Sequence, residues 1–430
     1  MMFVLSAMWS DLVNWTAFSI GPLNVFPIDF LTIAASVFLL RKPFQFTPRQ
    51  SRRLLLPLFL FLVWLLFEVL HGIPAYSFSA FGDARLIVPF FFSLVSFKLW
   101  MSPKKLEMIG GTFEKLLLVS ACAVILMFFL ELVAGHRVGI FFMNSEEEAF
   151  GELIDARGVR LLGSDQTFAA GVFFTFLFIS TLLNGWVGSR KAALAVFLVV
   201  IVIMSQNRTS AVSLAFGLSV YAAFIAGSGK RVKAIVFLLA SFTVAFVVIL
   251  IVSPDLIASI RQLLLAGLDP EQDPTGTWGW RLELAASAID QFAQNPMVGQ
   301  GYGGHWNLLF GQELVTAPPH NQYLSLLVKC GLVGVLLFLG VMVAAIYSYF
   351  RHRSAIPPRL RALFDTLFVV ILASIPYGFA YDYVPTFGFY LGAFYGIIAR
   401  VKFFHDSNKS ELDPDLLSPS SDIKREINVD

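Results

Sequence analysis

Long apolar runs separated by short polar clusters recur along the whole chain, and their lengths set the first expectation. Runs of about 20 residues are what an α-helix needs to cross a hydrocarbon core. They fall at roughly 22–40, 54–72, 84–101, 113–134, 166–184, 191–206, 208–227, 232–253, 322–349, 361–380 and 384–402. The opening stretch Met1–Ile20 is apolar but carries Asp11 and Asn14. Counted as a first span, it brings the total to about twelve. The runs are continuous rather than alternating, which excludes a β-barrel. The pattern therefore predicts an all-α polytopic membrane protein.

The polar clusters between the runs are unequal. One set of connections holds nineteen lysines and arginines, among them Arg52, Lys104, Lys230, Arg353 and Lys402; the alternate set holds seven, spread over much longer loops. The positive-inside rule makes the first set cytoplasmic, with both termini inside. Two outward loops are long: 135–165, acidic around "NSEEEAF", and 253–321. Four regions follow: an N-terminal bundle over 1–253, a large outward loop over 254–321, C-terminal spans over 322–402, and a polar cytoplasmic tail over 403–430 expected to be disordered. Within the large loop, "GWRLELAASAIDQFAQNP" reads as an amphipathic helix with Leu282, Ala285, Ala286, Ile289 and Phe292 on its apolar face, stopped by Asn295-Pro296. The glycine-rich "VGQGYGGHW" follows as a turn.

Composition agrees. Hydrophobic residues make up 57%, charged residues 14%, and mean hydropathy is +0.74, outside the range of an ordinary soluble domain. A net charge of +2 is no argument for nucleic acid. Cys122 and Cys330 both lie in apolar runs, which argues against a disulfide framework or a thiolate metal site. No small-residue cleavage site stands out near the start, so the first helices are expected to act as uncleaved insertion signals. Walker A, HExxH and EF-hand patterns do not occur in the sequence, so neither ATP use nor a dedicated metal site is indicated, and no cofactor is expected.

The candidate chemistry gathers on the outward side. "MSQNRTS" places Arg208 in a polar turn between two apolar runs. A guanidinium fork there suits phosphate or carboxylate; the bland alternative is a snorkelling arginine that ends a helix. Arg281 in "TGTWGWRLELA" opens the loop helix, whose N-terminus already favours anions; a salt bridge to Glu283 or Asp290 would explain it equally. His320 in "APPHNQYLSLLVKCGLVG" precedes a span, fixed by Pro318-Pro319. It can take a proton from a hydroxyl near neutral pH, or serve only structure, with Asn321 as the cap. His305 competes for the same role from a glycine-rich setting. Arg85 is a further anion contact or a local partner of Asp83. Lys329 and Asp29 lie inside spans, where ionisable residues mark a functional interior or a buried pair. Tyr381, Asp382 and Tyr383 form a polar outward turn suited to a sugar path.

Taken in order, "SQNRTS", "WGWRLELAASAIDQFAQNPMVGQGYG" and "PPHNQYLSLLVKCGLVG" resemble the O-antigen ligase and polymerase superfamily over about 204–334. "ARGVRLLGSDQTFAAG", with Arg160, resembles the segment before a mid-chain span in such proteins, but departs where an Asn-rich turn is expected. The resemblance implies a GT-C-like integral membrane glycosyltransferase of the bacterial inner membrane, with its large loop and active site in the periplasm. Such an enzyme moves a glycan from undecaprenyl diphosphate to a sugar hydroxyl without metal or nucleotide sugar. Its partners would be a lipid-linked glycan donor, a second lipid-linked repeat or lipid A–core as acceptor, a flippase and a chain-length regulator. On this reading His320 is the catalytic base and Arg208 and Arg281 hold the diphosphate. Arg85, Asn321, Tyr323 and Arg160 are secondary candidates.

Polymerisation of O-antigen or exopolysaccharide is the favoured version, because "GSDQTFAAG" gives the ligase no particular support. Ligation to lipid A–core is the alternative. A small-anion transporter using Arg208, Lys329 and Asp29 comes third, since transporters commonly show related halves and no internal repeat is visible here.

Overall fold

An α-helix closes its own backbone hydrogen bonds, which is what an apolar surround demands. Helix accordingly dominates the computed structural model. It describes residues 18–20, 23–25, 33, 34, 37, 49–77, 79–83, 87–100, parts of 115–133, 164–184, 189–204, 208–252, 277–303, 308–310, 313–315, 321–381 and 385–411. The helices are α1 (Arg49–Tyr76), α2 (Ser79–Asp83), α3 (Val88–Trp100), α4 (Ser164–Asn184), α5 (Ser189–Met204), α6 (Arg208–Val220), α7 (Ser228–Val252), α8 (Thr277–Gln294), α9 (Gln322–His352), α10 (Pro358–Tyr377) and α11 (Pro385–Glu411). A π-helical turn, Tyr221–Ile225, follows α6. The described residues also hold a 3-10 turn, Arg353–Ala355, and two short antiparallel hairpins: β1 (Phe18–Ile20) with β2 (Leu23–Val25), and β3 (Leu308–Phe310) with β4 (Glu313–Val315).

Among the described residues, three helical stretches are long and apolar enough to cross a membrane: Leu55–Tyr76, Gln322–Ala355 and Pro358–Tyr377. Shorter apolar helices cover Val88–Trp100, Thr167–Leu183, Thr209–Ile225 and Phe387–Val401. On α1, Leu56, Phe59, Leu60, Val63, Leu66, Phe67 and Leu70 form an exposed apolar stripe while Leu58, Phe61, Leu62 and Leu65 are buried. A soluble helix would turn such a stripe inward; here it suits acyl chains.

Two expectations shift at the ends of the chain. Phe18–Ile20 and Leu23–Val25 pair as strands, inside the stretches read as the first two spans; their Phe, Ile, Leu and Val content satisfies either structure. At the other end α11 continues to Glu411, so helix extends into the polar segment read as tail, while 412–430 lie outside the described residues.

Packing against α11 relies on close approach. Gly388, Gly392 and Gly396 recur every fourth residue, and a Cβ at each would collide with Pro89, Ser93 and Trp100 of α3, the small-residue device of membrane helix pairs. At one end of the α9–α10 hairpin, Arg353 Nε and Nη2 donate to the two oxygens of buried Asp365 at 3.0 and 2.9 Å. The Tyr349 hydroxyl donates to the same carboxylate at 2.7 Å. Such a bidentate pair is geometrically selective and fixes the hairpin at its arginine-rich turn.

Candidate functional site

The other end of that hairpin carries the candidate chemistry. Asn321 caps α9: its Oδ1 accepts from the Tyr323 and Leu324 amides at 3.0 and 3.1 Å. An asparagine cap contributes about 1 kcal/mol. Its Nδ2 donates to the Phe379 carbonyl at 3.1 Å, and the Gln322 amide donates to Gly378 O at 2.8 Å. Tyr323 donates its hydroxyl to Ile375 O at 2.7 Å and packs on Phe379 at 4.5 Å between ring centroids. The start of α9 is thereby fastened to the turn that ends α10.

Arg281 reaches the same turn. Its guanidinium lies over the Tyr381 ring, 5.9 Å from the centroid, a contact worth about 0.5–2 kcal/mol. Tyr381 packs on Tyr377 at 5.2 Å, and Tyr377 on Phe168 of α4 at 4.7 Å. The buried Arg281 Nε has no hydrogen-bond partner among the described residues. Because α8 starts at Thr277, Arg281 stands one turn inside the helix rather than at its opening. The helix dipole, strongest in the first turn, contributes little there; the guanidinium must do the work.

Arg208 opens α6, and its side chain lies outside the described residues. The helix itself is placed. A Cβ on Gly217 would meet Val369 and Ala373 of α10, while Tyr221, just beyond α6, is in electrostatic reach of Asp365. The two helices run antiparallel, and this register brings the start of α6 to the Tyr377 end of α10. Arg281, the first residue of α6 and the start of α9 thus converge on one turn, 374–381.

Beneath it, α9 is broken. Gly331 has φ 63° and ψ −171°, a backbone state costly for any residue with a Cβ. The segment Asn295–Gly303, leaving α8, fills the break as a strap. Gln300 and Gly301 donate their amides to Val328 O and Lys329 O at 2.9 and 3.1 Å. Leu332 and Val333 donate theirs to Pro296 O and Met297 O at 2.9 and 3.3 Å. Trp64 Nε1 on α1 donates to Cys330 O at 3.0 Å. Every backbone group named here finds a partner, as an unwound segment buried among spans requires. Gly299, Gly301 and Gly303 all have positive φ, and Tyr302 presses on Gly72 of α1, donating its amide to Glu68 O at 3.2 Å. Burial raises the Tyr302 phenol well above its usual range, and the neighbouring Cys330 thiol adds to the shift.

Polar groups missed by sequence reading cluster beside the strap. Glu68 is fully buried; its Oε2 meets His71 Nδ1 at 3.1 Å, and Oε1 has no partner among the described residues. A carboxylate within an apolar run was the available signal. Lys329, read from sequence as an ionisable residue inside a span, does have its buried partner: Nζ donates to Asp83 Oδ2 at 2.9 Å. Gly303 N donates to the same oxygen at 2.9 Å. His320, Arg85, Arg160, His305, Asp29, Asp382 and Tyr383 lie outside the described residues. Among the described residues no group of three or more His, Cys, Asp or Glu side chains gathers as a metal site.

The α8 face differs from the expected one. Leu284 and Ala288 are buried against Val328, with Phe292 and Leu324 beside them, whereas Leu282 and Ile289 are more than half exposed. Both stripes have helical spacing; the one four residues apart follows α9, and the other is left outside.

These elements, α5 through the first half of α9, are the segment that matters for comparison. Residues 193–339 match the family model described as O-antigen ligase. The match spans Arg208, Arg281, the strap, His320 and the α9 break, and supports the superfamily that the sequence motifs resemble. Glycan transfer of the O-antigen ligase and polymerase type, on lipid-linked substrates in a membrane setting, is the activity this segment supports. No curated protein matches the chain.

Proposed function

We propose that the chain is a periplasmic-face glycosyltransferase of the bacterial inner membrane. It moves a glycan from undecaprenyl diphosphate to a sugar hydroxyl and polymerises O-antigen or exopolysaccharide repeat units. The observation that carries this reading is the convergence of Arg281, the Arg208 end of α6 and the α9 start, next after His320, on the turn 374–381.

In the proposed step His320 takes the proton of the acceptor hydroxyl. The freed oxygen bonds to the anomeric carbon, and the bond from that carbon to the diphosphate oxygen breaks. Charge then accumulates on the leaving diphosphate, where preorganised cations stabilise it most. Arg281, held over Tyr381 with Nε unpartnered among the described residues, and Arg208 are the groups for that role. Asn321 acts by capping and docking α9; Tyr323 does the same through Ile375. Arg85 and Arg160 are secondary anion contacts. Exposed Phe379 and the Tyr381 ring offer aromatic faces to sugars. No metal or cofactor enters this scheme. A flippase and a chain-length regulator are the expected partners, and the C-terminus is cytoplasmic.

Ligation to lipid A–core is the second reading, favoured by the description of the matching family model. A small-anion transporter gains nothing from polar groups gathered at one end. The test of the mechanism is His320→Ala: transfer of a lipid-linked glycan is lost while insertion and folding persist. Near-normal transfer would remove His320 from the chemistry.

A further inference from the structure

The Lys329–Asp83 pair has no part in the mechanism just proposed, yet its geometry is specific. Lys329 is 1% exposed inside a span, and Asp83 is 29% exposed. Stripping an ammonium of water costs several kcal/mol, and a leucine or methionine would suit the apolar run at least as well. Buried ion pairs are often no more stabilising than apolar replacements of similar volume. Fixing position, rather than raising stability, is the use that repays such a pair.

The position in question is a junction. One oxygen, Asp83 Oδ2, receives both Lys329 Nζ and the Gly303 amide, tying the end of α2, the end of the strap and the break in α9 to one point. Chain connectivity makes that point informative. The strap leaves α8, which carries Arg281, and Lys329 comes seven residues after Gln322, which opens α9. Hydrogen bonds from the strap lock residues 328–333 around it. Two arms of the junction thus lead to the groups that meet at the turn 374–381.

We propose that Lys329 and Asp83 are positioning residues: their shared contact with Gly303 clamps the end of α2, the strap and the break in α9 together, and so holds α8 with Arg281 in place relative to the start of α9 during transfer. The proposal rests on the transferase reading above.

The test uses the full chain in detergent or nanodiscs. Lys329→Met alone leaves Asp83 without its cation, and Asp83→Asn alone leaves a buried ammonium, so the double variant is the informative one. It should insert, remain monodisperse and keep its Tm within a few degrees. With a lipid-linked donor its kcat should fall about tenfold to a hundredfold, the scale expected for misplacement of order 1 Å, while KM stays within about twofold. A loss that merely follows the amount of folded protein, or full activity, overturns the clamp. Pulsed spin-label distances between Ser79→Cys on α2 and Met297→Cys on the strap, both exposed, with Cys122→Ser, read the geometry without chemistry. A narrow distribution in the otherwise wild-type chain should broaden in the double variant, and an unchanged distribution overturns the clamp. Failure of the otherwise wild-type chain to transfer any glycan would instead strike at the transferase reading, and the distances would still judge the clamp.

Discussion

Arg281 shows how a residue legible in sequence acquires its meaning from partners that are not. Its place at the start of a loop helix offered it as an anion contact or as half of a local salt bridge, but its ring partner Tyr381 is a hundred residues away and belongs to another turn. No spacing rule reaches that far. Stacked over a ring, a planar guanidinium keeps its edge for a phosphate, which an ammonium on a flexible stem does not reproduce. Arg281→Lys should therefore lower kcat/KM about tenfold or more, with insertion unchanged. Full activity with lysine would reduce Arg281 to a point charge. Asn321 was legible as a cap because caps are local, whereas its bond to Phe379 was not.

Among elements, long apolar runs were the easiest to read. The runs 322–349 and 361–380 appear as α9 and α10 with small shifts at their ends. The break in α9 was invisible, because "VKCGLVG" is apolar apart from Lys329 and glycines such as Gly331 and Gly334 are tolerated in membrane helices. What breaks the helix is the strap, a competitor supplied from α8. The buried face of α8 was misassigned for a related reason: two apolar stripes exist, and only the neighbour α9 selects between them. Gly331→Ala should be strongly destabilising. Positive φ costs a residue with a Cβ about 1–2 kcal/mol, and the new methyl would collide with the backbone of Met297 and Val298. A total of roughly 3 kcal/mol or more is expected from the two effects, seen as a lowered Tm and reduced detergent-stable yield. A variant as stable as the parent would show that the strap is not wedged in the break.

For the whole molecule, the decisive features are polarity between the two ends of the bundle and its orientation in the membrane. Arg353 and Asp365 close the α9–α10 hairpin at the end rich in arginine, and the candidate site occupies the opposite end. On the orientation proposed above, the arginine-rich end is the cytoplasmic one. Gln272→Cys, in a background with Cys122→Ser, should react with an impermeant maleimide on intact inner-membrane preparations with the periplasmic face outward. Reaction only after permeabilisation would invert the orientation and remove the site from the periplasm.

The central claim is transfer of a lipid-linked glycan, and purified protein given an undecaprenyl-diphosphate-linked oligosaccharide tests it most directly. Products are followed by gel and mass spectrometry, with and without lipid A–core. A ladder of repeats from the donor alone is the predicted result. Transfer only when lipid A–core is present would make the chain a ligase and overturn the polymerase reading. No transfer under either condition, with the donor intact and an active control enzyme, would contradict the glycosyltransferase account itself.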